Sequence, residues 1–106
     1  MPKFLISASY TTEGIQGVQS AGGSARRDLV AKTIEGMGGS LESFYFAFGH
    51  TDAFVVVDLP DNESALAVAM AVGGSGSAGA TTTVLLTPEQ VDAAAKKSVS
   101  YTPPGG

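Results

Sequence analysis

The sequence predicts an α+β fold of the ferredoxin-like type, β-α-β-β-α-β with a short C-terminal helix. Three observations lead to this prediction. Four segments have the β-branched and aromatic composition of strands, helical patterns link the first to the second and the third to the fourth, and a short turn separates the second from the third. In this order, both long helices cover the same face of a four-stranded antiparallel sheet.

Composition limits the classes of function. The chain has 106 residues, which is enough for one compact domain with a modest core. It contains no Cys, so disulfides, cysteine nucleophiles and thiolate metal sites are excluded. The net charge of −4 opposes phosphate binding, and we expect no nucleic-acid partner. Without a long apolar run we expect no membrane association and a cytoplasmic location.

The first half begins with a strand at residues 3–10, where apolar and polar side chains alternate. A helical pattern follows from Thr11 and Thr12, and several glycines between residues 14 and 23 weaken its first part. Ser24 is expected to cap a regular second part. The pair Gly38-Gly39 is expected to end this helix in the left-handed conformation.

The middle of the chain predicts a β-hairpin with strands at 40–48 and 52–59 and a loop at 49–51. In that register the facing pairs are Phe46 with Phe54, Phe44 with Val56, and Glu42 with Asp58. Both faces of these two strands are largely apolar, whereas a solvated face should carry alternating polar residues. Two helices cover only one face, so we expect a second subunit on the other.

The second half predicts a helix, a strand and a short helix. Asp61 is expected to cap a helix over 63–72 that Gly73 ends, and the glycine-rich segment 73–79 leads to a strand at 80–87. Pro88 begins the last helix, which runs to residue 97. We assign residues 1–97 to the domain and 98–106 to an extended C-terminal tail.

Four stretches resemble the GYD-domain family of small bacterial and archaeal proteins. They are KFLISASYTTEG, GGSARRDLVAKTIEGMGGSLESFYFAFG, TDAFVVVDLPD and TTTVLLTPEQVDAA, which together cover most of residues 3–95. The family is similar to the dimeric α+β barrel proteins, so the resemblance implies a ferredoxin-like fold and barrel-like association between subunits. The family has no assigned activity, and the resemblance therefore implies no particular reaction.

The Gly-Tyr-Asp motif of that family is incomplete in this chain. Gly49 and Asp52 are present, but Thr51 stands at the tyrosine position and His50 precedes it. A function carried by the tyrosine hydroxyl in relatives would be missing here.

Two pairs of residues are candidates for catalysis. His50, the single histidine, could act as a base oriented by Asp52, because histidine is suited to proton transfer near neutral pH. The favoured alternative is an ordinary turn in which Gly49 has a positive φ, Asp52 binds turn amides and His50 is solvated. Glu42 and Asp58 could form an acid/base pair or hold a cation. Solvated strand ends are the favoured explanation for that pair.

Candidate ligand contacts fall into two groups. Five aromatic residues could line a pocket, with core or interface packing as the alternative, namely Phe44, Tyr45, Phe46, Phe48 and Phe54, and of these Phe44, Phe46 and Phe54 are the candidate ligand contacts. Arg26 and Arg27 follow a glycine pair at a helix start, a pattern that suits a carboxylate or phosphate, although a solvated face is the more common explanation. The segment 73–79 lacks the lysine and the strand-to-helix order of a phosphate loop. One His and one Asp are too few for a metal site, and we expect no metal and no cofactor.

Together these features favour a homo-oligomeric module that binds a small ligand or serves as a scaffold through an apolar sheet face. One alternative is a small cofactor-independent enzyme that acts on a hydrophobic substrate in a barrel cavity. Another is a regulatory module that binds an anionic effector near Arg26 and Arg27.

Overall fold

The structure, a computed structural model, describes all 106 residues and contains four strands and four helices. In chain order they are β1 Lys3–Tyr10, α1 Thr12–Ala21, α2 Gly23–Gly36, β2 Ser40–Phe46, β3 Ala53–Asp58, α3 Asn62–Gly74, β4 Ala78–Leu85 and α4 Pro88–Ala95. The strands form one open sheet in the order β2-β3-β1-β4, and every neighbouring pair is antiparallel. The predicted ferredoxin-like α+β fold is confirmed.

The helical segment after β1 is divided at Gly22. Thr11 caps α1 by accepting a hydrogen bond from the Gly14 amide, with 3.1 Å between N and Oγ1. Gly22 then adopts a φ of 92°, which turns the chain between α1 and α2. The prediction that Ser24 caps the second helix is wrong, because Gly22 occupies the cap position and Ser24 already lies in the first turn.

The core lies between the sheet and the helices on one side of it. Strands β1 and β3 contribute Phe4, Val55 and Val57, and these pack with Ile34 of α2 and Val68 of α3. Along β3, buried positions alternate with more exposed ones, as a strand with one covered face requires. The opposite side of the sheet carries no helix, and we call it the open face.

The pairing of β2 with β3 differs from the prediction by one residue. Tyr45, and not Phe46, lies opposite Phe54, and Phe44 lies opposite Val55. The register shifts once more between Leu41 and Ser43, where Glu42 forms a bulge. A slip of one residue moves every side chain of a strand to the other face of the sheet.

The predicted register places Phe44, Phe46 and Phe54 on one face of the sheet, but the observed register distributes them over both faces. Phe44 packs against the helix-side core, and the Phe46 ring lies over the start of α2, against Gly23. Their ring centroids are 4.9 Å apart, as expected for two residues on one face of a strand. Phe54 lies on the open face. The expected grouping of the three phenylalanines on one face was wrong.

The C-terminal part of the chain contributes nothing to the core. Helix α4 has a complete capping box between Thr87 and Gln90, yet each of its residues is exposed. Residues 98–106 contain no helix or strand and are exposed throughout.

Candidate functional site

The open face has an apolar patch that crosses β2, β3 and β1, with hydroxyl-bearing residues beside it. Tyr45 and Phe54, which are cross-strand neighbours, are 71% and 41% exposed. Leu5 and Val56 also form a cross-strand pair, and both are half-buried. Residues with hydroxyl groups lie next to this patch at the same alternating positions, namely Ser7, Ser43, Thr81 and Thr83. The face is more mixed in polarity than the sequence predicts.

One end of the open face carries a three-residue ion cluster. The Lys3 ammonium contacts Asp58 Oδ1 at 3.0 Å and Glu42 Oε1 at 3.0 Å. The hydrogen bond to Asp58, followed by the one to Glu42, raises the pKa of Lys3 above its ordinary value of 10.5. Glu42 and Asp58 are thus brought together, by the bulge in β2 rather than by direct pairing. Lys3, for which the sequence gives no signal, bridges them.

The hairpin tip does not form a histidine–aspartate pair. Asp52 binds across the sheet, and its Oδ2 accepts a hydrogen bond from the Tyr10 amide at 2.8 Å. His50 is exposed, and its backbone oxygen accepts a hydrogen bond from Ser9 Oγ at 2.8 Å. The expected positive φ at Gly49 is also absent. Asp52 therefore ties β1 to the hairpin instead of binding turn amides or orienting an imidazole.

A cleft of about 110 Å³ opens on the helix side of the sheet. Helices α2 and α3 form its walls, and the sheet forms its floor. Its lining is almost wholly apolar and includes Ile6, Val30, Phe44, Val55 and Val72. None of the four catalytic candidates lines it. The four candidate catalytic residues therefore lie away from the apolar cleft.

Arg26 is the one charged residue that lines this cleft, and Tyr10 is the one residue that brings a phenol hydroxyl to it. Arg26 Nε donates a hydrogen bond to Tyr10 Oη at 3.3 Å, and the guanidinium carbon lies 5.7 Å from the centre of the Tyr10 ring. This distance is within the range of a cation–π contact. Both residues are half-buried, and Arg26 forms no salt bridge with Asp or Glu.

The two candidate arginines have different surroundings. Arg27 is exposed, and its Nε lies 3.2 Å from Oδ1 of the adjacent Asp28. Only Arg26 reaches the apolar cleft. The sequence suggested Arg26 from its position after the glycine pair, but it gave no signal for Tyr10, whose role depends on the packing of α2 against the end of β1.

The glycine-rich segment 73–79 serves the connection between α3 and β4. Ser77 O accepts hydrogen bonds from Thr11 N at 3.0 Å and from Thr11 Oγ1 at 3.2 Å. A Cβ atom at Gly14 would collide with that same carbonyl group. The close approach holds the start of α1 against this loop. The Ser77 carbonyl oxygen is occupied by hydrogen bonds from Thr11.

No group of three or more His, Asp or Glu side chains has an arrangement that could hold a metal ion. None of the four helices has the length and apolar character needed to span a bilayer.

A four-stranded antiparallel sheet with a helix-covered face and an open face defines a ferredoxin-like α+β protein. The family model described as GYD domain matches residues 4–95, and the chain belongs to that family. Comparisons with curated proteins and with solved structures gave no significant match.

Proposed function

We propose that this GYD-domain protein is a homo-oligomeric module, at least a dimer, whose subunits associate through the open faces of their sheets. The observation that carries the proposal is the cross-strand pair of Tyr45 and Phe54, which exposes two aromatic rings on that face, one of them from the edge strand β2. Aromatic side chains bury large apolar areas and are enriched at the centres of interfaces.

The composition of the open face supports association with a second copy. It combines an apolar patch with neighbouring hydroxyl groups, as subunit interfaces combine apolar contacts with polar ones. Such a patch can pair with its own copy about a twofold axis without any matching charge. The charged residues lie at one end of the face, where Lys3 bridges two carboxylates and leaves one net negative charge in the cluster. The apolar patch itself contains no charged residue, so two copies can meet there without opposing like charges.

Helix α4 gives separate support for association. It has eight residues, whereas isolated helices shorter than about 12–15 residues are marginal in water. Its Val91 is 56% exposed, and the preceding Leu86 is 65% exposed. Because no part of the same chain buries this helix, a neighbouring subunit is the natural source of the packing that it needs.

Sedimentation velocity and native mass spectrometry at micromolar concentration test the proposal. The wild-type chain is expected to be a dimer or larger, and Phe54→Asp is expected to give a folded monomer with an unchanged far-UV helix signal. Phe48→Asp is the matched control, because Phe48 is fully exposed at the hairpin tip. A monomeric wild type, or a Phe54→Asp variant that stays assembled, would refute the proposed interface.

A further inference from the structure

We propose that the cleft between α2, α3 and the sheet binds a small monocarboxylate with an apolar tail, held by Arg26 and Tyr10 at the carboxylate end. The inference goes beyond the proposed association of subunits and does not depend on the open face. It rests on the size of the cleft, on its lining, and on the charge and hydrogen bonding of Arg26.

The size of the cleft sets the size of the ligand. An apolar cavity of about 150 Å³ in another protein accepts benzene. The cleft here, at about 110 Å³ and open to solvent, suits one ring or a branched chain of about five or six carbons. A nucleotide is far larger than this space.

The lining of the cleft explains why the tail is apolar. Aliphatic side chains from both helices and from the sheet surround the space, including Val30, Val55 and Val72, and the Phe44 ring closes one side. Ligand sites commonly combine such a lining with a small number of polar groups that set orientation. Here those groups are Arg26 and Tyr10.

The donors at the cleft match a carboxylate. Arg26 uses Nε for its bond to Tyr10 Oη, so the two terminal guanidinium nitrogens remain for a ligand. The Tyr10 hydroxyl accepts that bond and keeps its own proton to donate. A carboxylate can accept from the guanidinium and the phenol together, and charge-assisted bonds of this kind are stronger than neutral ones.

The charge at the cleft favours a monoanion over a phosphate dianion. Arg26 is the single cation that lines the cleft, because Arg27 lies outside it and pairs with Asp28. A neighbouring hollow of about 270 Å³ is bordered by the same Arg26 and Tyr10, and it also contains Glu13. A second negative charge on the ligand would face Glu13 without a further cation to offset it.

The test is an NMR titration of the full chain with benzoate, followed through backbone amide shifts. We expect saturable shifts at residues that line the cleft, with much weaker binding of benzyl alcohol, which lacks the charge, and of acetate, which lacks the tail. Arg26→Gln is expected to weaken benzoate binding about tenfold or more, since it removes a charge-assisted interaction. Arg27→Gln is the matched control and is expected to bind like the wild type.

A second variant tests the apolar end. Val30→Phe places a ring in the cleft, and it is expected to abolish benzoate binding with Arg26 intact. Thermal unfolding of each variant checks that it is folded. The proposal is overturned if benzoate gives no saturable shift at the cleft, if the two arginine variants bind equally, or if the folded Val30→Phe chain still binds. Sedimentation of the same samples shows separately whether the subunit interface is intact.

Discussion

The carboxylate of Asp52 holds the end of β1 through the backbone amide of Tyr10, with 2.8 Å between Oδ2 and N. The backbone of Asp52 adds two more bonds, since its amide donates to Ala8 O at 2.8 Å and its carbonyl accepts from Ala47 N at 2.7 Å. The aspartate of the family motif is thus a junction between β1 and the hairpin. Asp52 thereby holds the backbone of Tyr10, whose side chain contacts Arg26 at the cleft.

Replacing Asp52 by Ala is expected to destabilise the fold, because the Tyr10 amide loses its side-chain acceptor. The loss should be about 1–3 kcal/mol in urea unfolding. Asp52→Asn keeps an acceptor oxygen and should recover most of the stability. An alanine variant as stable as the wild type would contradict this role.

The Lys3 cluster predicts a specific dependence of stability on alkaline pH. Hydrogen bonds to Asp58 and Glu42 raise the pKa of Lys3 above 10.5, so folding favours the protonated amine. This contribution is fully present below pH 10.5 and is lost as the pH rises through the raised pKa. Urea midpoints of wild type and Lys3→Met should differ by a constant amount between neutral pH and that pH and should converge above it. A difference that does not change with alkaline pH would count against the cluster.

The register of the hairpin shows where the sequence was insufficient. Both β2 and β3 carry apolar side chains at odd and even positions, so the pattern specifies the strands but does not specify which face each residue takes. The sequence favours a short loop at 49–51. In the structure the loop is longer, because the bond from Ala47 N to Asp52 O closes it over residues 48–51, and a bulge at Glu42 shifts the register by a further residue. Bulges change the register locally and have no strong sequence signal.

Helix boundaries were easier to predict than contacts between elements. Thr11, Asp61 and Thr87 cap helices as local sequence indicates, and each accepts a bond from an amide three residues ahead. The pairing of Arg26 with Tyr10 depends instead on how α2 lies on the sheet. That packing joins residues sixteen positions apart through tertiary structure, which no local pattern encodes.

The corrected register predicts opposite outcomes for two phenylalanines. Phe44→Asp places a charge against the helix-side core, and the cost of several kcal/mol rivals the stability of a small domain. This variant should lose its far-UV circular dichroism signal or unfold at much lower temperature. Phe54 lies on the open face, so the Phe54→Asp variant should keep that signal. If Phe44→Asp stays fully folded, the placement of Phe44 in the core is wrong.

Two glycines of α1 form a matched pair for testing the contact with the α3–β4 loop. A Cβ at Gly14 would collide with the carbonyl of Ser77, the group that accepts two bonds from Thr11, whereas nothing lies within 4 Å of a Cβ at Gly17. Gly14→Ala must therefore displace the loop, with an expected loss of about 1–3 kcal/mol. Gly17→Ala only restricts the unfolded chain and improves helix propensity, with an expected gain of about 0.5–1 kcal/mol. Thermal and urea unfolding of both variants measure the contrast, and equal stability of the two would show that α1 does not rest on the Ser77 carbonyl.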